Sequence, residues 1–200
     1  IYNLADAIWV AGLGADALAG VGFVTPLFMI LVGLSNGLGA GATSLIARRI
    51  GARDKQGAES AATHAFVLSL GVSAVMMVIF VLFLRPIVAL LGAGPVTDIA
   101  VEYGQIVFLG TIFFLAVQMA YAILRAEGDT KRTMYAMAIS SILNIILDPI
   151  LIYWAGLGVA GAAIATVISI ASVMVILAYW IFIRRDTYVQ LSFREFTPQT

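Results

Sequence analysis

Two aspartates lie in apolar stretches where a charged side chain has no partner nearby in sequence. Asp148 occurs in "NIILDPILIYW", and no lysine or arginine lies within ten residues of it on either side. Asp6 occurs in "YNLADAIWV". An aspartate at the centre of a membrane span costs about 2.5–3.5 kcal/mol on insertion scales, so such residues are functional by default. The alternative is a structural role, as a protonated aspartate hydrogen-bonded to a neighbouring helix.

The positions of these aspartates predict that they share one depth with a third polar residue. Asp6 and Asp148 each lie eight residues before a glycine of a predicted turn, and Thr166 lies eight residues after such a glycine. At 1.5 Å per residue, each is roughly 12 Å inside the outer end of its helix. Asn144 lies one turn before Asp148 on the same helix face.

Two carboxylates, an amide and a hydroxyl form an oxygen-rich set of candidate ligands. Oxygen ligands suit a proton or a hard cation such as Na⁺, whereas transition metals favour imidazole or thiolate. The sequence therefore predicts an exchangeable H⁺ or Na⁺ site, and it leaves the choice of ion open. The predicted site consists of Asp6, Asn144, Asp148 and Thr166.

Four more polar side chains in apolar segments are candidates for the lining of a cavity. They are Tyr2, Asn36, Tyr103 and Gln118. Tyr2 lies one turn before Asp6 and can share its face. The tyrosines can instead be belt residues at a membrane interface. The amides of Asn36 and Gln118 can instead form hydrogen bonds between helices.

The elements that must position these residues are membrane helices. The chain is 62% hydrophobic and 11% charged, whereas a soluble domain carries about a quarter charged residues. The apolar blocks are long enough for one partial and five full spans. Because the chain opens with isoleucine inside an apolar block, the first helix is predicted to be truncated. The predicted spans are Ile1–Leu13, Leu18–Ala47, Ala58–Leu84, Ile99–Leu124, Thr133–Ala155 and Leu157–Ile183.

The charged residues predict the orientation and exclude other classes of protein. Ten of the eleven lysines and arginines follow the second, fourth and sixth spans, and only Arg85 lies on the other side. The positive-inside rule therefore places the basic connectors in the cytoplasm, as in a multi-pass protein of the plasma (inner) membrane. The net charge of zero gives no basis for binding nucleic acid. The absence of cysteine and the single histidine exclude thiolate and His-rich metal centres.

The combined pattern predicts an all-α polytopic membrane protein. Residues 1–185 are predicted to form a six-helix transmembrane lobe. Residues 186–200 are polar and mixed, and are predicted to begin a cytoplasmic linker.

Three blocks of the sequence resemble the amino-terminal half of the multidrug and toxic compound extrusion (MATE) family. They are "YNLADAIWVAGLGADALAGVGFVTPLFMI", "GLGAGATSLIARRIGARDKQGAE" and "AILRAEGDTKRTMYAMAISSILNIILDPILIYWAGLGVAGAAIATVIS". The resemblance implies twelve helices in two six-helix lobes, with a central cavity and alternating access. It implies export of organic cations and other amphipathic compounds, driven by entry of H⁺ or Na⁺. It also implies a carboxy-terminal lobe of the same protein as partner.

The same resemblance implies roles for individual residues. In relatives whose fifth span carries an aspartate, the cation site uses residues matching Asp6, Asn144, Asp148 and Thr166. The tyrosines matching Tyr2 and Tyr103 lie near the same cavity. An aspartate at position 148 implies the DNA-damage-inducible-like prokaryotic branch. No cofactor is implied beyond the coupling ion.

Three alternatives compete with a cation-coupled exporter. A lipid or oligosaccharide flippase shares the lobe plan, but its cavity tends to be basic, and no predicted span here contains a basic residue. An intramembrane aspartyl protease could use two aspartates as an acid/base dyad. That class needs a G-x-G-D motif, whereas Asp148 lies in "LDP", so we predict that the protein is not an enzyme. A membrane scaffold does not explain three polar residues at one depth.

Overall fold

A computed structural model describes residues 2–184 and 188–189, and the described chain is helical. The last turns of the sixth and seventh helices widen into π-helix, at Ile150–Trp154 and Tyr179–Arg184. A short 3₁₀ turn, Gly94–Val96, precedes the fourth helix. The α-helices are α1 (Tyr2–Ala11), α2 (Ala15–Gly51), α3 (Lys55–Leu90), α4 (Thr97–Leu109), α5 (Thr111–Ala126), α6 (Thr130–Pro149) and α7 (Gly158–Ala178).

The helices correspond to the six predicted spans. Four of them are long and apolar enough to cross a membrane, and a fifth span is formed if α4 and α5 count together. The ten residues of α1 are fewer than the roughly 20 that a span needs. Large apolar side chains on the outside of the bundle, such as Leu82 and Val175, are well exposed, as expected for surfaces that face lipid.

The fourth predicted span is bent by 47° at Gly110, between α4 and α5. The sequence predicted one continuous helix there. At Gly110 an added Cβ would lie 2.7 Å from Cγ2 of Val167 on α7. Because a small residue at this point allows α7 to approach closely, the bend and the helix packing depend on the same position.

The turns have local causes in the sequence. Asp54 begins α3 by accepting from the Gly57 backbone N–H at 2.9 Å, and Asp129 begins α6 by accepting from Arg132 N–H at 3.0 Å. These are N-caps that satisfy otherwise unpaired donors. At the opposite end of the bundle, Gly14 starts α2 with a φ of 114°, which other residues rarely adopt.

The basic connectors meet at one end of the bundle. Glu127, between α5 and α6, accepts hydrogen bonds from the backbone N–H groups of Tyr188 and Val189 at 3.2 and 2.8 Å. Lys55 Nζ, at the start of α3, lies 5.7 Å from the centre of the Tyr188 ring. Val189 is buried in an apolar cluster with Ile46 and other side chains at this end. Of the predicted linker, 186–200, only residues 188–189 lie within the described part.

Candidate functional site

A continuous set of hydrogen bonds joins α1, α6 and α7 inside the bundle. The Asn144 amide donates to Asp148 Oδ1 at 3.2 Å and to Thr166 Oγ1 at 3.4 Å. Thr166 Oγ1 in turn donates to Asp6 Oδ2 at 3.3 Å. The structure therefore brings together the four residues of the predicted cation site, and we refer to them as the carboxylate cluster.

The carboxylate cluster is buried and leaves acceptor atoms without partners. Asn144 and Asp148 have no exposed surface, and Asp6 and Thr166 are at most 8% exposed. Oδ1 of Asp6, Oδ1 of Asn144 and Oδ2 of Asp148 have no hydrogen-bond partner among the described residues. The ion pairs described elsewhere in the chain involve neither aspartate. Buried carboxylates need a proton or a cation, because an unpaired buried charge is costly.

Sequence spacing on α6 places three polar residues on one buried face. Ser140, Asn144 and Asp148 follow one another at intervals of four residues, and all are at most 2% exposed. Residues four apart lie one above another on a helix. Ser140 Oγ donates to the backbone carbonyl of Ser169 on α7 at 3.3 Å, which holds the two helices together below the cluster. Ser140 was not predicted from the sequence, although its spacing of four residues from Asn144 places it on the same helix face.

A cavity of about 360 Å³ opens beside the carboxylate cluster. Ligand sites for small molecules have volumes of about 300–1,000 Å³. Asp6 and Thr166 line it, so the cluster and the cavity share two side chains. Its apolar wall includes the Phe28–Phe114 pair, whose ring centres are 5.2 Å apart. No lysine, arginine or histidine of the described residues lines this cavity.

Two of the four residues predicted to line a cavity do line it in the structure. Tyr103, buried on α4, and Gln118 on α5 both line it. Asn36 does not: it is exposed, and its neighbour Ser35 is the residue on the buried face of α2. Tyr2 is the first residue of α1, and its side chain lies outside the described part. Tyr121, a buried lining residue on α5, was not predicted, because nothing in its apolar surroundings distinguishes it.

Similarity to known proteins identifies the family of this helical lobe. The family model described as MatE matches residues 1–150, which is three quarters of the chain. The chain belongs to the MatE family. It is 34% identical to a probable multidrug resistance protein, YoeA, of Bacillus subtilis over 175 residues, which cover 84% of the chain and 37% of YoeA. It is 29% identical to the multidrug export protein MepA of Staphylococcus aureus, covering 99% of the chain and 44% of MepA.

The chain is also similar to a transporter with a different substrate in its name and to several solved structures. A FAD transporter of Shewanella oneidensis is 28% identical over 96% of the chain and 44% of its own length. A crystal structure of MATE in a bent conformation superimposes with a TM-score of 0.96 at 45% identity. A MOP superfamily transporter from Pyrococcus furiosus superimposes with a TM-score of 0.94, also at 45% identity. Each match covers 99% of this chain and 44% of the solved chain.

This MatE chain therefore spans less than half the length of the relatives that it matches. Its fold is similar to one half of the solved MATE transporters, which agrees with the prediction of one lobe of a two-lobe transporter. The family and the all-helical membrane lobe predicted from sequence are thus confirmed, with four or five helices in the described part of the chain long enough to span a membrane.

Proposed function

We propose that the protein is a secondary active exporter of cationic or amphipathic drugs, driven by H⁺ or Na⁺ entry through alternating access. The observation that supports this most strongly is the carboxylate cluster inside a membrane lobe, where three oxygen atoms have no partner within the described part of the chain. Oxygen atoms without partners are suited to receive a proton or a hard cation. Multidrug relatives support the drug-export part of the proposal.

The shared side chains suggest how ion and substrate are coupled. Asp6 and Thr166 belong both to the carboxylate cluster and to the cavity wall. A proton or Na⁺ on Asp6 removes the negative charge that a cationic substrate would meet in the cavity. Ion binding and substrate binding then oppose each other, and each biases the equilibrium between inward-open and outward-open states through differential affinity.

The cavity chemistry favours a cationic or neutral amphipathic substrate over a phosphorylated one. Its wall combines a carboxylate with aromatic rings, and aromatic faces attract cations. The FAD-transporter relative raises the alternative of a dinucleotide, which carries two phosphates. Phosphate recognition uses arginine and lysine, and the described wall of this lobe offers neither. The same property argues against a flippase for lipid-linked phosphates.

The remaining features of the proposal concern the whole transporter. A carboxy-terminal lobe of the same protein would complete the central cavity. The chain would lie in the plasma (inner) membrane with its basic connectors in the cytoplasm. The aspartate at position 148 supports assignment to the DNA-damage-inducible-like branch. The proposal requires no cofactor other than the coupling ion.

The test is transport by the full-length protein in vesicles. Export of a fluorescent cationic dye is measured with a pH gradient alone, a Na⁺ gradient alone, both gradients and neither. Export that depends on one gradient and exceeds that of protein-free vesicles supports the proposal and identifies the ion. Dye export that neither gradient drives would rule out ion coupling. FAD is used as the competing substrate, and gradient-driven movement of FAD without dye movement would reassign the substrate.

A further inference from the structure

A side-chain hydrogen bond joins the two helices that carry the buried aspartates, away from the carboxylate cluster. The Tyr153 hydroxyl, in the π-turn that follows α6, donates to the Trp9 backbone carbonyl on α1 at 2.6 Å. Trp9 lies three residues after Asp6, and Tyr153 lies five residues after Asp148. The Tyr153 hydroxyl therefore connects the last turn of one aspartate helix to the last turn of the other.

The π-turn explains why Tyr153 reaches α1. In an unbroken α-helix, a residue five positions after Asp148 would point about 140° away from it around the axis. Here Ala155 N–H bonds to the Ile150 carbonyl at 2.8 Å, five residues back, so the turn contains one extra residue. The wider turn rotates Tyr153 back toward the side of Asp148. Single π-turns within helices occur frequently at functional sites.

Gly12 provides the space that the Tyr153 hydroxyl occupies. A Cβ added at Gly12 would contact Oη of Tyr153 directly. Gly12 has no left-handed backbone conformation that would otherwise require glycine. The Trp9 and Tyr153 rings also contact each other edge to face, with centres 6.2 Å apart.

The last turn of α1 is attached to the bundle in two ways, and only the hydrogen bond from Tyr153 is directional. The other attachment is Val10, the residue after Trp9, which is fully buried in the main apolar cluster. Apolar contact holds α1 against the bundle, but it is non-directional and tolerates small rotations and shifts. A hydrogen bond at 2.6 Å restricts both. Asp6, one turn away, meets Thr166 only through a long 3.3 Å bond, which small movements of α1 would break.

We propose that Tyr153 is a positioning residue that holds α1 so that Asp6 lies within reach of Thr166 and Asp148 for cation binding. This inference rests on the proposed cation-coupled function. Cation ligands must lie within a few tenths of an ångström of ideal distances. Loss of the Tyr153 hydroxyl therefore weakens ion binding without removing any ligand. The titratable groups around Asp6 are Asp148 on α6 and Tyr103 on α4, and both remain in place.

The experiment compares two independent changes in the full-length protein. Tyr153→Phe keeps the ring and removes the hydroxyl, and Gly12→Ala displaces the hydroxyl with a methyl group. The matched controls are Tyr135→Phe, at an exposed tyrosine of α6, and Gly33→Ala, at a glycine with nothing within 4 Å of an added Cβ. Dye export is measured against Na⁺ concentration at fixed pH, and against pH without Na⁺.

We expect the half-saturating ion concentration to rise about two- to tenfold in both variants, the range that one hydrogen bond accounts for. The maximal export rate should change less, and the double variant should resemble either single variant. Hydrogen exchange of the α1 amides should be faster in both variants. The controls should match wild type in all three measurements.

Three results are decisive. Ion-dependent wild-type export with unchanged half-saturation in both variants overturns the positioning role while leaving the proposed function standing. Wild-type export that responds to neither ion overturns the proposed function itself, and the positioning role with it. Faster exchange in α1 with a lower maximal rate and unchanged half-saturation shows a merely structural contact, and also overturns the positioning role.

Discussion

The Thr166 hydroxyl on α7 donates to the Asp6 carboxylate on α1 at 3.3 Å, between residues 160 positions apart in sequence. The same hydroxyl accepts from the Asn144 amide at 3.4 Å. Thr166 is thus the bridge between the half of the cluster on α1 and the half on α6. An ion that entered the cluster would have to compete with or join these hydrogen bonds, which makes the bridge sensitive to ion occupancy.

Asp148→Asn should abolish gradient-driven export while the protein still folds and inserts. The amide keeps the size of the side chain but removes its exchangeable negative charge. If Asp148 were only structural, the change would be tolerated or stabilising, because the cost of burying a carboxylate disappears. The measurement is dye efflux by the full-length protein at matched expression, with the exposed Asp16→Asn as control. Wild-type efflux in Asp148→Asn, with unchanged pH and Na⁺ dependence, would remove Asp148 from the mechanism.

Thr166→Val should weaken ion binding, because valine keeps the shape of threonine and removes the bridging hydroxyl. We expect the half-saturating concentration of the coupling ion to rise about two- to tenfold, as for loss of one hydrogen bond. Thr166→Ser restores a hydroxyl at the same position and should recover most of the affinity. A loss of affinity in the serine variant, with wild-type affinity in the valine variant, would show that packing of the γ-methyl group matters, and not the bridge.

The sequence was sufficient to predict that Asp6, Asp148 and Thr166 lie at one depth, because helix geometry is regular. A fixed rise per residue and recognisable turns place residues at defined depths, and buried polar residues in a membrane avoid lipid. The same regularity predicted the helices, apart from their ends. Neither rule depends on which helices are neighbours.

Features that depend on neighbouring helices could not be predicted. The bend at Gly110 requires knowledge that Val167 of α7 packs there. The choice between Ser35 and Asn36 as the inward residue requires the rotation of α2, and both residues are polar, so the pattern did not discriminate. The π-turn after Pro149 was not predicted from the sequence.

The orientation predicted from the basic connectors can be tested with single cysteines in a chain that has none of its own. Cysteines replacing Lys55 and Lys131 should resist an impermeant thiol reagent on intact cells, whereas one replacing Ala15 should react. After the cells are opened, all three should react, which controls for buried positions. Labelling at position 55 or 131 but not at position 15 in intact cells would show that the lobe has the opposite orientation.

Glu127 should make the stability of the lobe depend on pH. Burial raises the pKa of Glu127 above its ordinary value, although the hydrogen bonds from Val189 and Tyr188 N–H act in the opposite direction. A raised pKa means that the folded protein binds the proton more tightly than the unfolded chain. This contribution to stability is fully present below about pH 4.3, the ordinary pKa of glutamate, and is lost as pH rises through the folded pKa.

Glu127→Gln should remove that dependence, because glutamine stays neutral. Its melting temperature should match wild type in acid and equal or exceed wild type at pH 8. Glu102→Gln, at an exposed carboxylate of α4, controls for the loss of one negative charge. A Glu127→Gln variant that is less stable than wild type at pH 8, but not in acid, would show that the charged hydrogen bonds outweigh the cost of burial.

Gly110→Ala should destabilise the lobe by about 1–3 kcal/mol, the usual cost of one extra methyl group in a packed interior. The backbone at Gly110, with φ −75° and ψ −2°, accommodates alanine, so the cost comes from space. The added Cβ would lie 2.7 Å from Val167 Cγ2 and 3.2 Å from the Val107 carbonyl oxygen. Thermal unfolding in detergent measures the loss, with Gly37→Ala as the control at a glycine whose added Cβ meets nothing within 4 Å. Val167→Ala removes both Cγ atoms and should recover most of the stability in the double variant, whereas independent, additive losses would show that the clash with α7 is not the cause.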